Sequence, residues 1–136
     1  MTQTTIHRYA LLLTGVTLSL IGIAYCIDPN LLLARYELSV ADVSEDNMYR
    51  GAYGGLFITT GAAIAWGFFQ NTFRQVSTII ALLFMGGFAF GRLASILALG
   101  VPHQQIVGLF AFEIVSTALF IWFLYSQSVN KTAEQV

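Results

Sequence analysis

Four long apolar runs separated by short polar breaks make up most of this chain. Residues 9–27 carry no charge and are long enough to cross a hydrocarbon core of about 30 Å. Asp28-Pro29 closes that run and opens another segment, since Asp caps well and Pro suits a first helical turn. The segment, residues 30–36, is too short to span, so the pattern predicts a helix lying at the interface or folded back onto its neighbours. Residues 37–47 are the longest polar stretch and the expected main loop outside the membrane. Further spans are predicted over residues 48–69, 76–99 and 105–125, with a tight turn at 70–75 and a compact break at Gly100-Val101-Pro102-His103. Short connections make consecutive helices antiparallel neighbours. The predicted fold is one all-α integral membrane domain over residues 1–136, an antiparallel four-helix transmembrane bundle with a short interfacial helix after the first span.

Composition strengthens this reading. The chain is 57% hydrophobic and only 10% charged, with mean hydropathy +0.73, whereas soluble domains carry about a quarter charged residues. A formal net charge of -1 offers no basic field to nucleic acid. Cys26 is the single cysteine, which excludes an internal disulfide and the membrane thiol oxidoreductases that work through paired cysteines. The first run is expected to be a retained helix: no small-x-small cleavage site follows it, and Tyr25 stands where a lipoprotein signal needs a small residue before Cys26.

The aromatic residues support the same layout. Tyr9, Trp66, Trp122 and Tyr125 fall near one membrane face, and Tyr25, Tyr36 and Tyr49 near the other, as interfacial belts do. Arg8, Arg74 and Lys131 share the face predicted to hold both termini. Asp28, Glu37, Asp42, Glu45 and Asp46 lie opposite, beside Arg35. The positive-inside rule then puts both termini in the cytoplasm.

Three ionisable residues interrupt the later runs. Arg50 heads the second span in Tyr49-Arg50-Gly51-Ala52-Tyr53-Gly54-Gly55, Arg92 lies in the third, and Glu113 in the fourth. A charge within a span costs about 2.5–3.5 kcal/mol or more on insertion scales, so such groups turn inward and seek partners. Arg92 and Glu113 are expected at a common depth of roughly 10–12 Å below the outer surface, with Arg50 shallower and reaching in. One reading is a structural ion cluster that fixes helix register. The other is a ligand site, with Tyr53 beside it. Two arginines against one glutamate leave a positive excess, to be met by Asp28, Asp42 or Asp46, or by a lipid head group or quinone carbonyl.

Small residues recur one turn apart: Gly51 and Gly55; Gly87, Gly91 and Ser95; Gly15 and Ser19. This spacing predicts close helix packing, and without a lysine or a strand it is no phosphate loop. His7 and His103 fall at opposite faces, so no metal-ligand set and no haem pair is expected. Ser95, Ser116 and Thr117 lack a nearby histidine, and back-bonding to a helix carbonyl is their expected role. No catalytic residue is assigned.

Together, Asp28-Pro29 after the first span, Arg50 with Tyr53-Gly54-Gly55, Gly91-Arg92, and Glu113 in the last span resemble a bacterial family of small four-helix membrane proteins of unknown function. That family is akin to the DoxX-like proteins, and the resemblance covers residues 9–124. It implies a four-helix bundle in the bacterial cytoplasmic membrane with polar residues clustered near one face. It also implies kinship with proteins of which some are accessory subunits of quinone-linked oxidoreductases. An acidic residue often precedes the glycine after the third span in that pattern, whereas here Leu99 precedes Gly100.

Two functions follow as expectations. The first is a non-catalytic accessory or structural subunit, packed by its glycine faces against other membrane subunits or a second copy, and surrounded by membrane lipids. The second is a lipid- or quinone-binding membrane protein, part of an oxidoreductase, using the Arg50/Arg92/Glu113 cluster.

Overall fold

A computed structural model of the chain describes residues 3–133, with side chains over residues 4–127. The side chain of Lys131 lies outside what it describes. The helices are α1 (Gln3–Ile27), α2 (Asn30–Leu33), α3 (Val43–Tyr49), α4 (Leu56–Phe69), α5 (Arg74–Leu99) and α6 (Gln104–Ala133). A π-helical turn, Arg50–Gly55, joins α3 to α4, and 3₁₀ turns follow α2 at Ala34–Tyr36 and precede α5 at Asn71–Phe73. Among the described residues, four helical stretches are long and apolar enough to cross a membrane: Thr4–Ile27, Val43–Phe69, Asn71–Leu99 and Gln104–Gln127. The chain divides into two compact units, Met1–Arg74 and Gln75–Val136.

In the first unit, α1 buries one stripe, His7, Leu11, Gly15, Leu18 and Gly22, at the three- and four-residue steps of a single helix face. The facing stripe is Gly54, Phe57, Gly61, Ile64 and Gly67. A Cβ built at Gly15 would stand 2.5 Å from the Gly61 carbonyl oxygen, and one at Gly22 would stand 2.7 Å from that of Gly54. The two backbones therefore touch directly, and the pairing order makes the helices antiparallel. Lipid tails leave little hydrophobic drive for helix association, so such close van der Waals contact is what holds a membrane hairpin together.

Beyond α1 the chain doubles back. The Asp28 carboxylate accepts from the Asn30 amide at 2.9 Å, and Pro29 and Leu33 are buried while Leu31 is exposed. The short helix thus folds onto the unit, one of the two predicted outcomes.

The second span starts earlier than residue 48. The expected loop is helical from Val43 because Asp42 caps that helix, its carboxylate accepting from the Ser44 and Glu45 amides at 2.7 and 2.9 Å. Glu45 reaches back to the Ala41 amide at 2.8 Å, so two side chains satisfy amides that a helix start leaves open. Asp42→Ala should lower stability by about 1 kcal/mol, read as a fall in thermal midpoint in detergent, and Asp42→Ser should retain most of it. Equal midpoints for wild type and Asp42→Ala would mean the cap contributes nothing.

The second unit is an antiparallel pair. Arg92 of α5 meets Glu113 of α6, while Gly86 lies against Thr117, so ascending one helix descends the other. Buried positions are Ser77, Thr78, Ala81 and Met85 on α5, and Glu113, Ser116, Phe120 and Phe123 on α6. Helix α5 stops at Gly100, whose φ of +95° suits a residue without Cβ and whose amide donates to the Ile96 carbonyl at 3.0 Å.

Candidate functional site

Arg50 follows Asp46 by one helical turn, and the pair closes as a fork. Nε donates to Asp46 Oδ2 at 2.5 Å and Nη2 to Asp46 Oδ1 at 3.1 Å. Nη1 donates to the Cys26 carbonyl and, at 3.2 Å, to that of Ile27. Those carbonyls belong to the last turn of α1, where a helix leaves its acceptors open and carries partial negative charge. Arg50 therefore caps α1 from the neighbouring helix. Asp46, one of the three loop acids expected as counter-charges, balances it.

The chain is π-helical from Arg50 onward, and Tyr53 lies within that turn. Its ring centroid is 5.3 Å from Tyr25, 5.7 Å from Tyr49 and 5.7 Å from Phe57, so one aromatic cluster adjoins the capped end of α1. Single π-helical turns inside α-helices recur at functional positions.

Arg92 continues the buried stripe of α5, seven residues beyond Met85. Its Nε donates to both carboxylate oxygens of Glu113, each at 2.9 Å. The glutamate side chain is 9% exposed and the arginine 25%. Arg92 Nη1 and Nη2 find no acceptor among the described residues. Thr117 donates from Oγ1 to the Glu113 carbonyl at 2.7 Å, the back-bonding expected of it. Arg50 belongs to the first unit, Arg92 and Glu113 to the second, and each arginine meets a carboxylate of its own unit.

A Cβ built at Gly51, Gly87 or Gly91 meets no described atom within 4 Å, and the nearest to one at Gly55 is the Arg50 carbonyl oxygen at 3.9 Å. Ser95 is exposed. Helix contact inside the first unit falls instead on Gly15, Gly22, Gly54 and Gly61, with Ser19 close to Gly61. Of these, Gly15 and Ser19 carried the one-turn signal. Gly22, Gly54 and Gly61 were missed, although Gly15 and Gly22, like Gly54 and Gly61, stand seven residues apart.

A family model described as a domain of unknown function, DUF4345, matches residues 6–124. No curated protein and no solved structure matches the chain.

Proposed function

The chain belongs to the family defined by the domain of unknown function DUF4345, and from that premise we propose a non-catalytic integral membrane protein, an accessory or structural subunit of a membrane complex. The observation that carries this reading is that each arginine meets a carboxylate of its own unit. Arg50 is engaged through Nε, Nη1 and Nη2 by its own chain, which leaves one Nη2 N–H rather than a planar pair of donors for a substrate anion. With Asp46 and Glu113 in place the charges balance, and the demand for an anionic ligand disappears. The open face at Gly87, Gly91 and Ser95 is the kind on which another membrane helix can approach closely. The same reading puts the protein in the bacterial cytoplasmic membrane with both termini inside. Gentle extraction from native membranes tests it. A membrane protein or second copy should co-elute in fixed stoichiometry, and a chain that always elutes alone and monomeric counts against the proposal.

One observation favours a second reading, a lipid- or quinone-binding protein akin to the DoxX-like proteins. The terminal nitrogens of Arg92 find no acceptor among the described residues, and within a bilayer an unmet donor costs several kcal/mol. An ester or quinone carbonyl matches two such donors. Native mass spectrometry should then find one apolar ligand per chain in the wild type and none in Arg92→Gln. A ligand retained by that variant, or no ligand in either, removes this reading.

A further inference from the structure

We infer that the end of the first unit built from the start of α1 and the close of α4 binds the phosphate of an anionic phospholipid headgroup. This rests on neither reading above, since it involves the opposite end of the first unit from Arg50.

Charge is segregated along this unit. Its acids, Asp28, Glu37, Asp42, Glu45 and Asp46, all fall within residues 28–46, and residues 1–27 and 56–74 contain no Asp or Glu. Two arginines, Arg8 and Arg74, gather at the other end beside the buried His7. Arg74 lies within electrostatic reach of both Arg8 and His7.

Arg8 is held by one edge. Its Nε donates to the Phe68 carbonyl at 3.2 Å, and its guanidinium carbon sits 4.9 Å from the centre of the Phe68 ring. Stacking and the single bond fix the plane of the group, while Nη1 and Nη2 have no acceptor among the described residues. A planar pair of donors, preoriented and flanked by further positive charge, suits two oxygens of a phosphate.

Depth argues for a lipid as the source of that phosphate. Tyr9 and Trp66, both about half exposed, flank Arg8 and Phe68 in sequence, and Tyr9 packs on Phe68 with ring centroids 5.4 Å apart. Amphipathic rings of this kind sit at headgroup level. Phe69, two-thirds exposed, adds apolar surface beside them for the acyl chains.

The test uses the purified full-length protein in a neutral detergent, titrated with phosphatidylglycerol or phosphatidylcholine and read by native mass spectrometry. Wild type should prefer phosphatidylglycerol by about tenfold or more, from roughly 1 kcal/mol per basic residue at the surface. Arg8→Gln and Arg74→Gln, each checked for monodisperse elution, should each reduce the preference, and Arg8→Lys should retain part of it. The wild-type preference should also shrink as salt rises, a readout that needs no variant. Equal affinity for the two lipids, a preference unmoved by salt, or one surviving in both glutamine variants would overturn the assignment. Displacement of the lipid by equimolar inorganic phosphate would overturn it too, by making this a site for a free anion.

Discussion

Gly61→Val should unfold the first unit or cost it about 3 kcal/mol or more. A Cβ at this position would lie 2.5 Å from the Gly15 carbonyl oxygen and 2.8 Å from the Ser19 amide. Both obstacles are backbone, so no side chain can rotate away, and α1 and α4 would have to separate along their whole contact. Ordinary overpacking costs about 1–3 kcal/mol when flexible side chains absorb it, and the value here belongs at or beyond the top of that range. Gly87→Ala is the matched control. Its added methyl meets no described atom within 4 Å, and glycine is about 1 kcal/mol worse than alanine inside a helix. That variant should melt no lower than wild type, and its midpoint should rise. Thermal melts of both variants in one detergent decide the matter; a Gly61→Val protein as stable as its parent would mean that the seam between α1 and α4 is looser than described.

Removing one partner of the Arg92–Glu113 pair is the other large effect, and it should be unequal between the two sides. Breaking a buried ion pair costs about 3–5 kcal/mol because a charge is left without a partner, and the quarter exposure of Arg92 reduces this somewhat. Glu113→Gln leaves a guanidinium that cannot shed its charge. Arg92→Gln leaves a carboxylate, which can take up a proton and become neutral. Glu113→Gln should therefore be the more damaging single change. The double replacement Arg92→Met with Glu113→Leu should recover much of the loss, as swapping both partners for apolar groups tends to do. Melting curves of the three variants and the wild type suffice, and a double variant less stable than either single would show that the pair contributes more than mutual neutralisation.

Much of this architecture could be read from the chain before any coordinates. The four apolar runs, the break at Asp28-Pro29, a short non-spanning helix after it and the stop at Gly100 all follow from length, charge and capping chemistry, which are local. What could not be read was the rotation of the second span. Gly51, Gly54 and Gly55 crowd the stretch after Arg50, and which of them faces α1 depends on the angle each residue adds. The one-turn rule assumes α-helical geometry and selected Gly51 and Gly55. The π-helical turn adds less rotation per residue, because its hydrogen bonds reach to i+5, and Gly54 meets α1 instead. The start at Val43 was missed for a different reason. Residues 43–47 are mostly polar, and hydropathy gives no hint of a helix there, although Asp42-Val43-Ser44-Glu45 has the spacing of a capping box. Arg50 finds Asp46 one turn back for the same reason: the stretch predicted as loop is helical there.

The backbone-to-backbone seam of the first unit has a consequence for synthesis. Both of its strips, from Gly15 to Gly22 and from Gly54 to Gly61, belong to consecutive spans. Once translation has passed Arg74, every atom of that seam exists, and the Arg50 clamp on the Cys26 and Ile27 carbonyls exists with it. The hairpin can lock while the ribosome is still making the third span, so the first unit needs nothing from the later helices to close its own seam.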